Sequence, residues 1–459
     1  MKKISVDYIL DAIPESKLLS DAGSAEVTSV AIDSRQVKEC SLFFAVIGEK
    51  NDGHDFLPSV RENGCHAVIV SDTEWGDKIA AYGDMTVILV SCTRDALMQL
   101  AKRYIADWHG LLKVAVTGSV GKTGTKDFLG AVLSSKYKTG KTPGNLNSDY
   151  GLPLTVFGFD EDIEAAVLEM GAGRSVHISE LADIARPDIG VVTNVGTSHL
   201  EAFGTRDILT AEKLGISKFF GVGNSIIVNS DCDKLSRKNV EKIVPAGTDV
   251  VTVGSEVNDN IIVYNIGDFG IDGVSCSLDV KLGLTEYDGT YKLVIPVIGA
   301  HNLGNAALAI AAGVKLGINP ADGIRALADT RFSSGRLEVI KTDRFTIIDD
   351  SYNASPESMK SGLKILNSSK ASRRVAILGD MYELGDESEA LHESVGTYAH
   401  DIGIDLLITI GSNATAIARA AVAAKEAEGI AYDGGPEVIA YTDKDEAISK
   451  INDLLTEGD

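Results

Sequence analysis

The chain has 459 residues, 44% of them hydrophobic and 24% charged, with a formal charge of −23. Such a length exceeds what one core accommodates and predicts about three domains. The acid excess argues against nucleic-acid binding, which needs a basic face, and any phosphate ligand must be held by local groups against the overall field. Five cysteines (Cys40, Cys65, Cys92, Cys232, Cys276) are scattered without C-x-x-C spacing and read as reduced thiols. With no secretory leader pattern and no apolar run of bilayer length, the expected location is the cytoplasm.

Residues 1–109 read as a small α/β domain. Strands are predicted over 27–32, 41–47, 67–70 and 87–90, a helix over 54–62 and another over 94–108. Ser34 and Arg35 follow a strand end, where a hydroxyl and a guanidinium can hold a phosphate. The compact loop Asn51-Asp52-Gly53-His54-Asp55 is also polar. Turn chemistry alone accounts for both.

The next stretch, 110–330, opens on an apolar strand over 111–116, then Thr117-Gly118-Ser119-Val120-Gly121-Lys122-Thr123, then a helix over 123–134. Strand, glycine loop and helix in that order make a phosphate-binding loop. The glycines allow a tight turn that points backbone N–H groups inward, Lys122 adds a mobile positive charge, and the Thr123 hydroxyl can ligate Mg²⁺. The spacing is unusual: two residues, not four, separate Gly118 from Gly121-Lys122-Thr123. Residues 165–171 read as a buried strand whose Glu169 is expected at the carboxyl edge of a parallel sheet, placed to hold Mg²⁺. The strand over 189–194 leads to His199. A helix over 207–220 contains Lys213, for which a solvated helix position is the plain expectation. Alternation at Val274, Cys276, Leu278, Val280 and Leu282 predicts a half-buried β-ribbon or a small antiparallel sheet. Asn302 and Asn305 open an alanine-rich helix that stops near Gly317, either as caps or as amides offered to a base.

From 331 to 459 strands and helices alternate, which predicts a parallel sheet. The strand over 345–350 ends in Asp349 and Asp350; Ser355-Pro356 reads as N-cap and first helical residue. Strands are also expected over 374–379 and 405–410, and a helix over 443–455. Polar residues gather after the strands, among them Asn353, Asp380 and Glu383. The fold class is therefore α/β: a small α/β N-terminal domain, a central phosphate-loop parallel sheet with a β-rich insertion, and a C-terminal Rossmann-like parallel sheet.

The ordered set of these pieces resembles the Mur ligases, ATP-dependent amide-forming enzymes of peptidoglycan precursor synthesis. The match rests on Asp33-Ser34-Arg35, the Asp52–Asp55 loop, the phosphate loop, Glu169-Met170-Gly171, the run 194–199, His301-Asn302 with Asn305, Gly335-Arg336 and Asp350. Within the family, residues 350–359 and 378–385 look most like the last-acting member. The resemblance implies that ATP phosphorylates the terminal carboxylate of UDP-N-acetylmuramoyl-tripeptide and that the amine of D-alanyl-D-alanine then displaces phosphate. It assigns Gly118, Ser119, Val120, Gly121, Lys122, Thr123 and Gly124 to the nucleotide phosphates, and Asn302 to adenine. Arg336 and Asp350 would reach the nucleotide from the third domain. Thr123, Glu169, His199 and Lys213 would serve the metal sites, the lysine as a carbamate, with Lys122, His199 and Lys213 taking part in catalysis. Ser34 and Arg35 would contact the UDP part; Asp349 and Asn353 would meet the dipeptide. ATP and Mg²⁺ are the implied cofactors, and a monomer that closes its third domain on the ligands is the implied working form. Three positions depart from the family: Gly124 stands for Ser or Thr, Gly215 for a glutamate, and Val120 for Asn or Ser. A sibling ligase with another acceptor, including a folylpolyglutamate-type enzyme, and an inactive nucleotide-binding homologue are the alternatives.

Overall fold

The computed structural model describes residues 1–23, 26–173, 176–197, 200–332, 335–427 and 435–459. The chain divides into two compact units, one of residues 1–115, 137–190 and 215–221, the other of residues 116–136, 191–214 and 222–459.

The first unit contains a five-stranded sheet, in spatial order Lys17–Ser20, Thr86–Leu89, Ala67–Val70, Ser41–Phe44 and Ser29–Ala31. All neighbours are parallel except the first pair. Ser41–Phe44 and Ala67–Val70 are buried at every position, as expected of parallel strands covered on both faces. Phe43, Leu57, Val68, Ile79 and Val87 form the centre of its core. The helix expected over 54–62 is split: a 3₁₀ turn at Gly53–Phe56 precedes an α-helix at Leu57–Glu62, with proline in its first turn. Pro58 has no N–H to give and so starts a helix well and continues one badly. The polar loop around His54 is structural. His54 is fully buried, its Nδ1 bonds the Asp52 carboxylate at 2.6 Å, and its Nε2 accepts the N–H groups of Ser71 and Asp72 at 3.0 and 3.3 Å. It is thus a neutral imidazole with the proton on Nδ1, tying the loop to the end of Ala67–Val70. The same unit holds Thr139–Lys141 beside Ala165–Glu169, parallel, the latter buried throughout.

In the second unit the strands Ser225–Asn229, Asp249–Gly254 and Ile261–Asp268 are successive parallel neighbours. Val274–Val280 and Gly289–Ile295 extend them antiparallel, so the expected ribbon is a three-stranded meander. It buries Val274, Cys276, Leu278 and Val280, whereas Leu282 lies past the strand end, its N–H held by the Asp288 carboxylate. Helix Lys122–Ser134 packs on helix His301–Lys315 at a glycine: a Cβ on Gly313 would come within 2.6 Å of Val132 Cγ1. Gly317, at φ 74°, ends the second of these helices as expected. Near the C-terminus, Val375–Gly379, Leu406–Ile410 and Glu437–Tyr441 form a parallel sheet. The strand expected over 345–350 does not join it. Thr346–Asp349 pairs antiparallel with Glu338–Lys341, because the turn between them closes on itself through Thr342 N–H to Phe345 O at 3.0 Å and Phe345 N–H to Thr342 Oγ1 at 3.0 Å.

Helix Ser388–Asp401 lies against Thr415–Ala427 at Gly396, where a Cβ would run into the carbonyl of Ile417. Backbone cannot step aside as a side-chain tip can. Gly396→Ala is therefore expected to cost about 3 kcal/mol, the upper end for overpacking, read as a lower urea midpoint at unchanged slope.

Candidate active site

Strand Leu112–Thr117 delivers the chain to the glycine loop with Thr117 fully buried. Gly118 has φ 154°, and a Cβ there would strike the Thr193 hydroxyl; Gly121, at φ 81°, is the left-handed residue from which helix Lys122–Ser134 starts. Only glycine takes both positions without strain. The loop is fastened from the strand end at 193–196. Asn194 Oδ1 accepts the N–H groups of Ser119 and Val120 at 3.1 and 2.9 Å, Thr193 Oγ1 donates to Val120 O at 2.6 Å, and Gly196 N–H donates to Ser119 Oγ at 3.0 Å. Lys122 Nζ folds back over the loop, donating to the carbonyls of Gly118 and Ser119 at 2.9 and 3.2 Å. An ammonium and the positive end of a thirteen-residue helix thus meet at one rigid turn, which is an anion site.

Thr123 is buried in the first helical turn. Gly124 beside it faces Phe332: a Cβ would sit 3.3 Å from Phe332 Cζ, and Phe332 in turn packs edge-on to Phe128 with centroids 5.3 Å apart. A side chain at 124 would press on this aromatic pair, whereas glycine costs the helix about 1 kcal/mol. Asn302 and Asn305 are not caps. Ala300 occupies the N-cap without a side-chain bond, while Asn302 Nδ2 donates to Ile298 O at 2.8 Å and Asn305 Nδ2 to Asn302 Oδ1 at 3.3 Å. Asn305 also abuts Gly121, where a Cβ would meet its Nδ2 at 3.0 Å. The start of helix His301–Lys315 therefore stands against the phosphate loop.

Lys213 departs from the solvated position expected of it: it is 1% exposed. Its helix is Arg206–Leu214, shorter than expected because Gly215 begins a 3₁₀ turn, and Leu209, Thr210, Lys213 and Leu214 form its buried face. That i, i+4 relation to Leu209 was the available signal. Burial, aided by the positive charge of Lys122 and opposed by Glu212, pulls the Lys213 amine down to about 7.

In the first unit Glu169 ends its strand 1% exposed, accepting from Asn147 Nδ2 at 2.8 Å, with its own N–H on Thr142 Oγ1 at 2.9 Å. Ser34 and Arg35 form a 3₁₀ turn capped by Asp33. The Arg35 guanidinium, 87% exposed, folds onto the Asp33 carboxylate at 2.7 Å and helps to hold it down at about 2. His199 lies outside the described residues. Among the described residues no group of three His, Cys, Asp or Glu side chains is gathered to hold a metal ion.

Arg336 stacks on the Tyr352 ring at 3.9 Å, and Leu337 N–H donates to Asp350 Oδ1 at 3.2 Å. Desolvation raises the Asp350 carboxyl to about 6 against that bond and the pull of Arg336. Asp349, Asp350 and Asn353 border a cavity of about 810 Å³ whose walls are largely aliphatic, including Ile347, Ile377 and Leu363. Asp380 also lines this cavity, with one carboxylate oxygen accepting Ala414 N–H at 2.7 Å. A second cavity of about 380 Å³ lies beside Val120, lined by Asn194, Thr197, Arg206 and Glu357. Arg206 grips Asp233 with two N–H groups, at 2.6 and 3.1 Å, and also donates to Val195 O at 2.8 Å. Sequence reasoning did not single out Thr193, Arg206, Phe332 or Glu357. Thr193 carried a hint as a hydroxyl at a strand terminus, and Glu357 lay within the 350–359 run without a role of its own.

Three family models match the chain: the Mur ligase family catalytic domain over residues 26–105, the Mur ligase middle domain over 116–313, and the Mur ligase glutamate ligase domain over 335–459. A UDP-N-acetylmuramoyl-tripeptide–D-alanyl-D-alanine ligase of Bacillus subtilis (strain 168) is 34% identical over 94% of this chain and 89% of its own length. A crystal structure of MurF from Acinetobacter baumannii superposes with a TM-score of 0.85 at 26% identity, covering 99% of this chain and 93% of that one. MurF ligase from Thermotoga maritima, solved in complex with ADP, superposes with a TM-score of 0.74 at 27% identity, covering 93% of this chain and 97% of that one.

Proposed function

The chain belongs to the Mur ligase family, and on that premise we propose that it joins D-alanyl-D-alanine to UDP-N-acetylmuramoyl-tripeptide, consuming ATP and releasing ADP and phosphate. It is an ATP-dependent peptide ligase of peptidoglycan precursor synthesis. The observation that carries this reading is the phosphate loop, with Lys122 folded over Gly118 and Ser119 at the head of a helix, in a chain 34% identical to such a ligase over nearly its whole length.

The chemistry has one electrostatic obstacle. A carboxylate must approach the γ-phosphorus of ATP although both are anionic. The carboxylate oxygen attacks phosphorus, the bond to the β-phosphate oxygen breaks, and ADP leaves. The dipeptide amine then attacks the acyl carbon, loses a proton, and phosphate departs with the electron pair of the broken C–O bond. Lys122 and the loop from Gly118 to Gly124 hold and neutralise the β- and γ-phosphates. Mg²⁺, when bound, spreads the charge that builds on the phosphoryl oxygens. Thr123 and Glu169 suit it: one hydroxyl and one carboxylate, with the triphosphate and water supplying the rest, is the usual protein share for this ion.

Lys213 is the residue for the second metal site, with His199. A buried amine at about 7 keeps a neutral fraction at physiological pH, and only the neutral amine adds carbon dioxide to become a carbamate anion. Asn302 serves adenine: its two internal bonds leave one N–H and one lone pair. Arg336 and Asp350 serve the nucleotide from the C-terminal part. Ser34 and Arg35 take the UDP phosphates, Arg35 exchanging a surface ion pair of little worth for a diphosphate. Asp349 and Asn353 orient the dipeptide at the 810 Å³ cavity. Functional domains at 1–109, 110–330 and 331–459 fit these roles, and the reading places a monomer in the cytoplasm. No helix of the described residues is long and apolar enough to cross a membrane.

ADP release with UDP-tripeptide and D-alanyl-D-alanine, each omitted in turn, tests the reading. It predicts release only with both. Equal release with a free diamino acid in place of the dipeptide would favour a sibling enzyme, and release indifferent to the tripeptide would favour a nucleotide-binding homologue.

A further inference from the structure

Helix Pro356–Ser368 is capped by Ser355, whose hydroxyl accepts Ser358 N–H, and begins with proline. Its first turn does two things at once. Asn353, Ala354, Ser358 and Met359 line the cavity assigned above to the dipeptide. Glu357, between them, points the other way. Its Oε1 accepts the N–H and the hydroxyl of Thr197 at 3.0 and 2.9 Å. A Cβ on Gly196 would lie 3.0 Å from the same oxygen. Gly196 N–H in turn donates to Ser119 Oγ in the phosphate loop at 3.0 Å.

The contact is one end of a stripe. Ser361 Oγ meets His301 Nδ1 at 2.9 Å, and Ile365 Cδ1 would meet a Cβ on Gly299 at 2.8 Å. Residues 357, 361 and 365 stand four apart, on one helix face. That face runs from the 196–197 segment to the start of the helix bearing Asn302 and Asn305.

We infer that Glu357 is a positioning residue: through Thr197 and Gly196 it fixes the phosphate loop relative to the helix turn that borders the dipeptide cavity. The inference rests on the ligase reading for its substrates but not for its geometry. A charged acceptor holding two donors of one residue is a strong, directional tie. A side chain at 196 would crowd the carboxylate, which would have to give by a few tenths of an ångström. The tie acts on the chemical step, where a misplacement of about 1 Å costs about a hundredfold, rather than on nucleotide affinity.

The test uses the full-length enzyme and the variants Glu357→Ala, Glu357→Gln and Thr197→Val. Glu357→Ala is expected to lower kcat at least tenfold while KM for ATP moves less than twofold and Tm is unchanged. Glu357→Gln, which keeps an acceptor oxygen in place, restores much of the loss. Adding Thr197→Val to Glu357→Ala lowers kcat no further, since the interaction is already gone. Amide hydrogen exchange supplies a readout independent of turnover: in Glu357→Ala, Gly196, Thr197 and the 118–121 loop exchange faster. Unchanged kcat, losses that multiply in the double variant, or unchanged exchange in the phosphate loop would each overturn the inference. A wild-type protein inactive with D-alanyl-D-alanine would sink the ligase reading instead, and exchange would still decide the role of Glu357.

Discussion

Lys122→Ala is expected to lower turnover by about a thousandfold, the upper range for loss of one preorganised charge-stabilising donor, while Tm changes little. The ammonium sits at the mouth of a loop that is fastened without it. Asn194, Thr193 and Gly196 hold the loop from the neighbouring strand end, so the turn survives the substitution. What is lost is a mobile positive charge placed to meet the γ-phosphate as the carboxylate arrives. Steady-state ADP release, with circular dichroism as the control for folding, reads both halves. Near-normal turnover would mean that the triphosphate lies elsewhere. A secondary effect follows at Lys213, whose amine Lys122 helps to depress: in the variant it titrates higher.

Lys213→Met is expected to abolish activity and stabilise the protein. In the folded chain the amine titrates near 7, against 10.5 for a free lysine. Below pH 7 the amine is protonated in both states, and the folded state bears the full cost of a buried cation. Between pH 7 and 10.5 the unfolded chain binds the proton and the folded chain does not, so stability rises with pH. Above 10.5 both are neutral and the cost is gone. A methionine of similar length removes it throughout, with a gain of about 5 kcal/mol as the ceiling. In buffer depleted of carbon dioxide, Tm of the variant should exceed that of the wild type at pH 7, and the gap should close towards pH 10. A variant less stable than the wild type at pH 7 would show that the amine is paid back by a partner stronger than its burial penalty.

The fold and the site were unequally legible. The phosphate loop could be read because its chemistry is local: two glycines, a lysine and a helix start follow one another in the chain, and the structure forms that turn. The meander at 261–295 could be read from alternation, which one buried face imposes. The Thr346–Asp349 strand was misjudged because pairing direction is settled by the turn at 342–345, four residues with no Gly, Pro or Asn to announce it. Periodicity alone left Lys213 solvated, because a charge on a helix ordinarily is; the resemblance gave it a role at a metal site, and only the shape of the fold puts it inside. Gly124 reads in the sequence as a weak helix position, and its neighbour Phe332 stands more than two hundred residues away in the chain. Glu357 lay inside the 350–359 run that carries the resemblance, but nothing local assigned it a role: its meaning lies in Thr197, which the chain brings to it across 160 positions.

The most direct test of the account follows an oxygen atom. With the tripeptide's terminal carboxylate enriched in heavy oxygen, and ATP and D-alanyl-D-alanine supplied, the phosphate released should carry one heavy oxygen from the carboxylate. Phosphate released in step with amide but free of the label would mean that no acyl phosphate forms, and would contradict the mechanism at its root.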